Sequence, residues 1–433
     1  MQGHLHPKIP RKNLFSCQLI TLTEKPDVFN RHPLLMFKIG IIGLGFISHE
    51  HVLGYLNNPH AEIVAICDSD QQRARQWQQK WNLSNARCFR DLDTMLSAAS
   101  LDIVEILTPH GLHCEHAVAC SRAKVKGISL QKPMAASLAE CDRVIDACRA
   151  NNVVLQIYEN YLFYPAYQQA KELIDDGIIG ELISVRIHTV GGLREGASWP
   201  KFWDPSSDLL DVNHSGNSPL VGDDGLHKFA LASWLMQRDI SQVGAWIDQD
   251  TPLDAPAFIR VRFQSDRGET QKYAQLDFTF STTLSIPCDF WLDDFVEICG
   301  HNGMMWINQC AAAGDRALFA GNEMSSSPLF PPIVVFVDGK VTPFMDGMSL
   351  QERNWSHSFR RCTQHFIDVM RNNSKPSWTG EDGKKMIRCA QASLLSAQEH
   401  RDVNLDEVTS EAEASGQFKL HTNFCNRKEA EKR

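Results

Sequence analysis

Several features that would assign a chain to a familiar class are missing from this sequence of 433 residues. It has no uninterrupted apolar run of about 18 residues, the length that a transmembrane helix requires. Its 13 cysteines form no C-x-x-C pair and no Cys/His spacing typical of zinc, so we expect reduced thiols and no bound metal. The first 33 residues lack the apolar core of a secretory signal. We therefore expect a cytoplasmic protein without a membrane segment.

Positive charge is also scarce. The chain has 43 Lys and Arg residues against 52 Asp and Glu residues, which gives a formal net charge of -9. No local cluster of basic side chains offsets this balance, and a phosphate backbone would be repelled. Nucleic acid is therefore excluded as an expected partner.

The length and composition indicate two domains. A chain of 433 residues, with 43% hydrophobic and 22% charged residues, exceeds what one hydrophobic core usually fills. Residues 1–35 mix basic residues, histidine and proline, and we predict a disordered leader or an upstream start there. The fold is predicted to begin at Met36.

Residues 36–158 are predicted to form a doubly wound α/β domain of the Rossmann type. Short apolar runs alternate with helix-length segments, which is typical of βαβ crossovers and a parallel sheet. The predicted strands are Phe37 to Ile42, Ile63 to Cys67, Ile103 to Leu107, Gly127 to Leu130 and Val153 to Ile157. The predicted helices include Gln71 to Lys80, His113 to Ala123 and Ser137 to Ala150.

Residues 159–408 are predicted to form an α+β domain with a large, mostly antiparallel, open sheet. After a helix over Tyr164 to Asp175, longer strands with polar alternation follow, which indicates a sheet with one covered face. These strands are Leu182 to Val190, Val243 to Ile247, Phe258 to Phe263, Ala274 to Phe280, Phe295 to Cys299 and Ile333 to Val337. Two amphipathic helices near 358–371 and 384–400 close the domain, and residues 409–433 are predicted to be a mobile tail.

A glycine-rich turn follows the first predicted strand. Its residues are Gly43, Leu44, Gly45, Phe46 and Ile47, and a helical stretch begins directly after them. In this context the first glycine permits a tight turn and the second lets the backbone approach a pyrophosphate at the helix N-terminus. Serine follows where a third glycine or alanine is usual. We predict that these five residues bind a dinucleotide.

Asp68 ends the next predicted strand, 20 residues after Ser48. An acidic side chain at that point accepts hydrogen bonds from the adenosine ribose and repels a 2′-phosphate, which favours NAD(H) over NADP(H). Arg73 lies near enough to meet a 2′-phosphate and is the second candidate there. The alternative is a plain glycine turn with a surface aspartate.

The chain resembles the family of glucose-fructose oxidoreductase, inositol dehydrogenase and the rhizopine-catabolism protein MocA (Gfo/Idh/MocA). The resemblance extends from about Phe37 to Asp406 and depends on five motifs in order. They are Gly43 to Ile47, Ala65 to Asp68, Thr108 to His113, Gln131-Lys132-Pro133 and Asp223 to His227.

The resemblance implies the following cofactor contacts. Thr108 and Pro109 take the place of the turn that borders the cofactor, and His113 ends the same motif. Lys132 takes the place of the family lysine that reaches the nicotinamide and the substrate hydroxyl. Gln131 stands where the family usually has glutamate, which keeps hydrogen-bonding capacity but loses a negative charge beside the lysine.

The resemblance also implies a catalytic group from a D-x-G-x-H element. Alcohol oxidation requires a base for the hydroxyl proton, and histidine titrates near neutrality, so His227 is the candidate base. Asp223 lies four residues earlier on the same side of a helical turn, where it would orient the imidazole or bind a second hydroxyl. Lys132 would stabilise the developing alkoxide. A structural histidine and a surface lysine are the alternatives.

Four further residues are candidate substrate contacts. Asn160 and Tyr161 follow the last Rossmann strand, and Trp199 and His214 lie in the long segment after the next strand. Packing at the domain junction accounts equally well for the first two. Large aromatic residues in a long segment usually anchor it to the core, which favours a structural role for that segment.

The predicted function is that of an NAD(P)-dependent oxidoreductase. By resemblance, it transfers a hydride between the nicotinamide cofactor and a secondary hydroxyl or ketone of a sugar, polyol or inositol. The alternatives are an NAD-dependent glycosidase of the same family that oxidises C3 transiently, and a non-catalytic nicotinamide-binding sensor. The family commonly associates through the open sheet face, so we expect a homodimer or homotetramer.

Overall fold

The computed structural model describes residues 36–193, 220–248, 255–266, 268–281, 290–308, 331–345 and 356–416. The predicted leader at 1–35 lies outside these residues, as do Trp199 and His214. From Met36 onward the chain forms one compact unit with two sheets.

The first sheet confirms the predicted doubly wound architecture. Its six strands are parallel and run in the order β3-β2-β1-β4-β5-β6. They are β1 (Phe37–Ile42), β2 (Ala61–Cys67), β3 (Arg87–Phe89), β4 (Ile103–Ile106), β5 (Gly127–Gln131) and β6 (Val154–Tyr158). The crossover helices are α1 (Ser48–Tyr55), α2 (Gln71–Lys80), α3 (Leu92–Ala98), α4 (His113–Arg122) and α5 (Leu138–Ala150).

The strand order reverses between β1 and β4. In an open parallel sheet, the crevice outside the carboxyl ends of the strands at such a switch point is where ligands bind. Every residue of β4 and of β5 is buried, since helices cover both faces. The glycine turn after β1 and the motif after β4 therefore meet at this edge.

The second sheet is mixed and mostly antiparallel, as predicted. Its nine strands run in the order β14-β13-β12-β11-β7-β10-β9-β8-β15, and the β7–β10 pair alone among them is parallel. The strands are β7 (Leu182–Leu193), β8 (Ile240–Ile247), β9 (Ala257–Phe263), β10 (Tyr273–Ser281), β11 (Phe290–Gly300), β12 (Gly303–Ile307), β13 (Ile333–Val337), β14 (Lys340–Phe344) and β15 (Val403–Asn404).

One face of this sheet is covered and the other is open. Along β9, buried and exposed residues alternate strictly, which is the pattern of a sheet packed on one side. The helices of this half are α6 (Pro165–Asp175), α7 (Gly225–Met236), α8 (Ser356–Asn372), α9 (Gly380–Glu399) and α10 (Ser410–Ser415). A π-helical turn over Leu220–Asp224 leads directly into α7.

Helix α8 returns to the first sheet, although the predicted boundary assigns residues 159–408 to the second domain. Phe366, Ile367 and Val369 pack in the same cluster as the β1 side chains. A Cβ on Gly54 of α1 would lie 2.4 Å from Thr363, so α1 and α8 approach closely because a glycine is there. The chain therefore crosses back after the second sheet.

The segment after Val408 is not a free tail at its start. Helix α10 packs on α5, where the Glu413 carboxylate accepts the Leu138 backbone N–H at 2.9 Å and the Gln391 amide at 2.7 Å. The prediction of a mobile tail is wrong for residues 410–415. These hydrogen bonds are long-range contacts that local composition does not reveal.

Candidate active site

The glycine turn between β1 and α1 requires both of its glycines for different reasons. Gly43 has φ of +89°, and a Cβ there would lie 2.6 Å from the Leu107 backbone. A Cβ on Gly45 would meet no atom within 4 Å and would project into open space. The second glycine thus leaves a cradle beside the helix N-terminus, which fits a pyrophosphate.

The contacts of Ser48 explain why a serine stands where a third glycine or alanine is usual. It is fully buried, donates to the Gly45 carbonyl at 2.6 Å and accepts the Trp77 indole N–H at 2.9 Å. The hydroxyl therefore ties the glycine turn to α2. Glycine or alanine would leave the buried indole donor without this acceptor, at a cost of about 1–3 kcal/mol.

Asp68 supports the glycine turn through hydrogen bonds. One carboxylate oxygen accepts the Leu44 N–H at 2.9 Å, and the other accepts the Asp70 N–H at 2.9 Å. The half-exposed Arg73 guanidinium lies 3.2 Å from the same group. The two residues predicted to govern the cofactor preference therefore form an ion pair with each other.

His113 does not occupy a cofactor-binding position. Its side chain is fully buried, with Nδ1 2.7 Å from the Pro133 carbonyl and Nε2 2.8 Å from the Thr108 carbonyl. Burial lowers the pKa of His113 to about 3. A neutral imidazole carries one N–H, so it donates to one of these two carbonyls, and its other nitrogen lies beside the second without a hydrogen bond. It joins the loops that carry Thr108 and Lys132, and the direct cofactor contact predicted for it is wrong. Thr108 is half-buried beyond the carboxyl end of β4, and the adjoining Pro109 is exposed.

Lys132 and Asp223 form an ion pair across the two halves of the fold. Lys132 follows β5, Asp223 lies in the π-helical turn before α7, and Nζ is 2.6 Å from Oδ1. Burial would raise the pKa of Asp223, but the Lys132 ammonium and then His110 outweigh it and lower this pKa to about 2. The carboxylate is therefore ionised and holds the lysine in place.

His227 is oriented by Glu159. Its Nδ1 lies 2.5 Å from Glu159 Oε1, and both side chains are at least 90% buried. A carboxylate only accepts, so Nδ1 carries the hydrogen and Nε2 is left for a ligand. Of the two roles predicted for Asp223, orienting this imidazole belongs to Glu159 instead.

Sequence motifs do not single out Glu159, although its position contains a signal. It comes directly after β6, at the same carboxyl edge from which Lys132 follows β5. An acidic residue at that edge faces the ligand crevice. Its partner, His227, lies 68 residues away in the chain.

Tyr161 and Asn160 differ in what they contact. The Tyr161 ring stacks on the His227 imidazole with centroids 4.2 Å apart and planes 12° apart. Asn160 is buried and donates to the Ser358 hydroxyl at 2.9 Å, so it anchors α8. Tyr161 therefore lies against the candidate base, whereas Asn160 packs against α8, which agrees with a structural role.

A buried lysine lies behind the stacked rings. Lys228 is fully buried and its Nζ lies 2.7 Å from Asp294, 3.2 Å from Asp224 and 3.1 Å from the Tyr161 hydroxyl. Burial would lower the pKa of Lys228, but the two carboxylates raise it. This pairing keeps the cation charged and fixes Tyr161 against His227.

Gln131 is buried, so its side chain contacts protein groups and not open space. Its amide lies between His51, at 2.9 Å, and the Lys132 backbone N–H, at 2.7 Å.

The described residues contain no group of three potential metal ligands and no helix long and apolar enough to cross a membrane. Nine free cysteines lie in that part of the chain.

Two family models match the chain. The model of an oxidoreductase family with an NAD-binding Rossmann fold matches residues 37–159, and the Gfo/Idh/MocA C-terminal domain model matches residues 167–306. Together the two models cover more than half of the chain. The first model ends just after β6, whereas the second ends within β12, before β13, β14 and β15.

Curated relatives match nearly the whole folded part. D-apiose dehydrogenase of Paraburkholderia graminis is 27% identical, over 87% of this chain and 92% of that protein. Myo-inositol 2-dehydrogenase of Thermotoga maritima is 24% identical, over 86% of this chain and 99% of that protein.

Solved structures share the fold. Scyllo-inositol dehydrogenase from Lactobacillus casei, with bound NAD(H) and scyllo-inositol, has a TM-score of 0.62 at 18% identity, over 86% of this chain and 99% of that one. An oxidoreductase from Agrobacterium radiobacter in complex with NAD+, L-tartaric acid and magnesium has a TM-score of 0.66 at 20% identity, over 86% and 98%.

Proposed function

The chain belongs to the Gfo/Idh/MocA family of oxidoreductases with an NAD-binding Rossmann fold, and we propose that it interconverts a secondary hydroxyl and a ketone of a sugar, polyol or inositol. The observation that carries this proposal is that the Lys132–Asp223 ion pair and the His227–Glu159 hydrogen bond lie close together, near enough for His227 to contribute to the lowered pKa of Asp223. Lys132–Asp223 and His227–Glu159 lie at the carboxyl edge of the first sheet and the start of α7.

The proton leaves the substrate through His227. Oxidation of a secondary alcohol removes a proton from oxygen as a hydride leaves carbon, and a bound nicotinamide ring supplies the hydride acceptor. Nε2 of His227 accepts the hydroxyl proton, because Nδ1 already donates to Glu159. The buried Glu159 carboxylate then stabilises the imidazolium that forms.

Lys132 stabilises the negative charge that develops on the substrate oxygen. Its ammonium is held by Asp223 Oδ1 and by the Asp223 carbonyl at 3.3 Å. A charge fixed before the reaction costs no reorganisation when the alkoxide develops. In the reverse direction, the same lysine polarises the ketone and His227 returns the proton.

The dinucleotide would be held by the glycine turn and by Asp68. The open space beside Gly45 admits the pyrophosphate, and the exposed Phe46 covers the same turn. We propose a preference for NAD(H), because Asp68 comes directly after β2, where a carboxylate pairs with the ribose hydroxyls and repels a 2′-phosphate. Thr108 and Lys132 border the nicotinamide end.

The substrate class is supported by the relatives' activities and by the polarity of the crevice. D-apiose and inositols carry several hydroxyls, and the relatives named above act on them. Asp223, Lys132 and His227 offer an acceptor, a donor and a titratable group to such a molecule. We propose a polyhydroxylated substrate of that kind.

The open face of the second sheet supports a homo-oligomer. Trp246 and Phe258 are cross-strand neighbours with 56% and 46% of their surface exposed, and Phe295 further along is 39% exposed. Exposed aromatic residues on a sheet face are typical of an interface. We propose that the protein forms a dimer or tetramer through this face. We also propose a cytoplasmic location.

The proposal is tested by following NADH absorbance with NAD⁺ or NADP⁺ and a panel of inositols, aldoses and polyols. The H227A and K132A variants should each lower turnover by about 10²-fold or more. If both substitutions leave turnover unchanged, the roles assigned to His227 and Lys132 are wrong. Tight NADH binding without turnover of any polyol would favour the alternative of a glycosidase that retains its cofactor, and glycosides would then be tested as substrates.

A further inference from the structure

A fully buried carboxylate on β4 lies at the end of a hydrogen-bond chain that leads to Lys132. Glu105 accepts from His51 Nδ1 at 2.6 Å and from the Tyr55 hydroxyl at 2.5 Å. All three side chains are at most 2% exposed. His51 and Tyr55 come from α1, directly behind the glycine turn.

The chain continues from His51 through Gln131. The Gln131 amide nitrogen lies 2.9 Å from His51 Nε2, and Gln131 Oε1 accepts the Lys132 backbone N–H at 2.7 Å. Each hydrogen bond has a defined direction. Glu105 can only accept, so His51 donates from Nδ1 and accepts at Nε2, which obliges Gln131 to donate its NH₂ there and to turn its oxygen to Lys132.

The imidazole in the middle of this chain is held in place. The Tyr158 ring packs on the His51 ring with centroids 3.9 Å apart, and the Phe359 ring lies 5.1 Å away. Burial, and then the Glu105 carboxylate, raise the pKa of Tyr55 well above its usual value, so Tyr55 remains a donor. These contacts leave the network one arrangement in which every group is paired.

We propose that Glu105, His51 and Gln131 form a relay that positions Lys132, and that Glu105 supplies from β4 the carboxylate that the family motif usually has at position 131. This inference rests on the proposed function and deepens it. The family motif, with glutamate before the lysine, places that charge directly beside the lysine. In this chain the charge is on Glu105, two hydrogen bonds away from Gln131. Gln131 connects it to the Lys132 backbone by donating to His51 and accepting from the Lys132 N–H.

The relay predicts opposite consequences for two substitutions. An amide at position 105 has one acceptor oxygen where the native carboxylate has two, so E105Q leaves a buried donor without a partner, either the Tyr55 hydroxyl or the Lys132 N–H. In both arrangements the relay also loses the carboxylate charge that the proposal assigns to it. In Q131E, His51 takes up a proton and donates to both carboxylates, so every group stays paired and the network keeps its net charge of -1.

The double variant E105Q/Q131E has its own complete pattern. The new amide on β4 donates to His51 Nδ1 and accepts from Tyr55. His51 then donates from Nε2 to the new carboxylate on β5, and that carboxylate accepts the Lys132 N–H. The relay runs in the reverse direction with the same charge. The charge swap is therefore expected to restore what E105Q removes.

The experiment compares wild type, E105Q, Q131E and the double variant, with Tyr55→Phe as the matched control. Tyr55→Phe removes the other hydrogen bond of Glu105 but leaves the chain to Lys132 intact. We expect E105Q to lower kcat about 10- to 100-fold, Q131E and the double variant to keep more activity than E105Q, and Tyr55→Phe to remain within about 3-fold of wild type. Melting temperature should fall similarly in E105Q and Tyr55→Phe, so stability alone does not explain the loss.

The His51 tautomer gives a readout that needs no substrate. Nitrogen-15 NMR of the imidazole should show hydrogen on Nδ1 in wild type and on Nε2 in the double variant. A double variant as slow as E105Q, or an unchanged tautomer, would overturn the relay. If no polyol is turned over by wild type, the proposed function fails, while the His51 tautomers of wild type and the double variant still decide the relay.

Discussion

Oδ1 of Asp223 lies 2.6 Å from Nζ of Lys132, although the two residues are 91 positions apart in the chain. One follows a strand of the parallel sheet, and the other precedes the helix that carries His227. This ion pair joins the two halves of the fold at the candidate active site. It also gives Asp223 a role that the spacing of the D-x-G-x-H element alone does not indicate.

The Asp223 carboxylate can be removed without a change of shape. In Asp223→Asn, the Lys132 ammonium loses its charged partner and moves in the crevice. We expect kcat/KM to fall about 10²-fold, because a misplaced catalytic group costs about that much. Steady-state kinetics with the substrate found in the panel measures this, and activity equal to wild type would contradict the holding role.

Glu159→Gln should impair the base and leave cofactor binding intact. The amide keeps one acceptor for His227 Nδ1 but no longer stabilises the imidazolium, so kcat should fall about 10²- to 10⁴-fold. The NADH dissociation constant, followed by fluorescence, should stay within about 2-fold of wild type. A large change in NADH binding with unchanged kcat would place Glu159 in the cofactor site instead.

His113 should make stability depend on pH. Its pKa is about 3 in the fold against 6.5 in an unfolded chain. Between those values the unfolded state binds the proton and the folded state does not, so the free energy of unfolding falls as pH decreases from 6.5 towards 3. The slope is at most about 1.4 kcal/mol per pH unit.

Urea unfolding at pH 7 and pH 5 measures this effect. His113→Asn should reduce the difference between the two free energies by about 2 kcal/mol. His400→Asn is the matched control, because His400 is exposed and its φ of +53° suits asparagine. Equal pH dependence in wild type and His113→Asn would show that another group takes up the proton.

Cofactor preference should respond to Asp68 and Arg73 in opposite ways. Asp68→Asn keeps an acceptor for the Leu44 N–H but releases the Arg73 guanidinium towards a 2′-phosphate. We expect the ratio of kcat/KM for NAD⁺ over NADP⁺ to fall about 10- to 100-fold, an energy range typical of one charged contact. Arg73→Ala should preserve or raise this ratio, and a lowered ratio there would reverse the assignment.

A charge in the middle of the open sheet face should disrupt the proposed oligomer. Trp246→Glu adds a carboxylate to an exposed aromatic pair, so two copies would place like charges in one interface. Light scattering after gel filtration should then report a smaller mass than for wild type. Trp81→Phe, which lies away from this sheet, serves as the control. If wild type is itself a monomer, the proposed oligomer is wrong.

Much of the fold follows from local pattern. Strand β1, helix α2 and strand β13 have the predicted bounds, because a continuous apolar run or a helical period is complete within each segment. The predictions did not include the short elements β3, α3, β12, β14, β15 and α10. These elements are too short to display a period, and pairing with neighbours stabilises them.

The sequence by itself determined the family, the Rossmann domain, the glycine turn and the identities of Lys132, Asp223 and His227 as candidates. These features depend on residue types at short spacings, which a linear chain displays. Only the tertiary structure decided their partners. Glu159 pairs with His227, Asp223 pairs with Lys132, and Glu105 pairs with His51. His113 lies between two backbone carbonyls.

The physical reason is that a hydrogen bond depends on distances of about 3 Å and on the direction of each donor. Residues such as Glu105 and Gln131 are 26 positions apart in the chain, yet adjacent strands place them in one network through His51. Sequence spacing shows which groups are present and on which element they lie. Packing of one element on another decides which donor meets which acceptor.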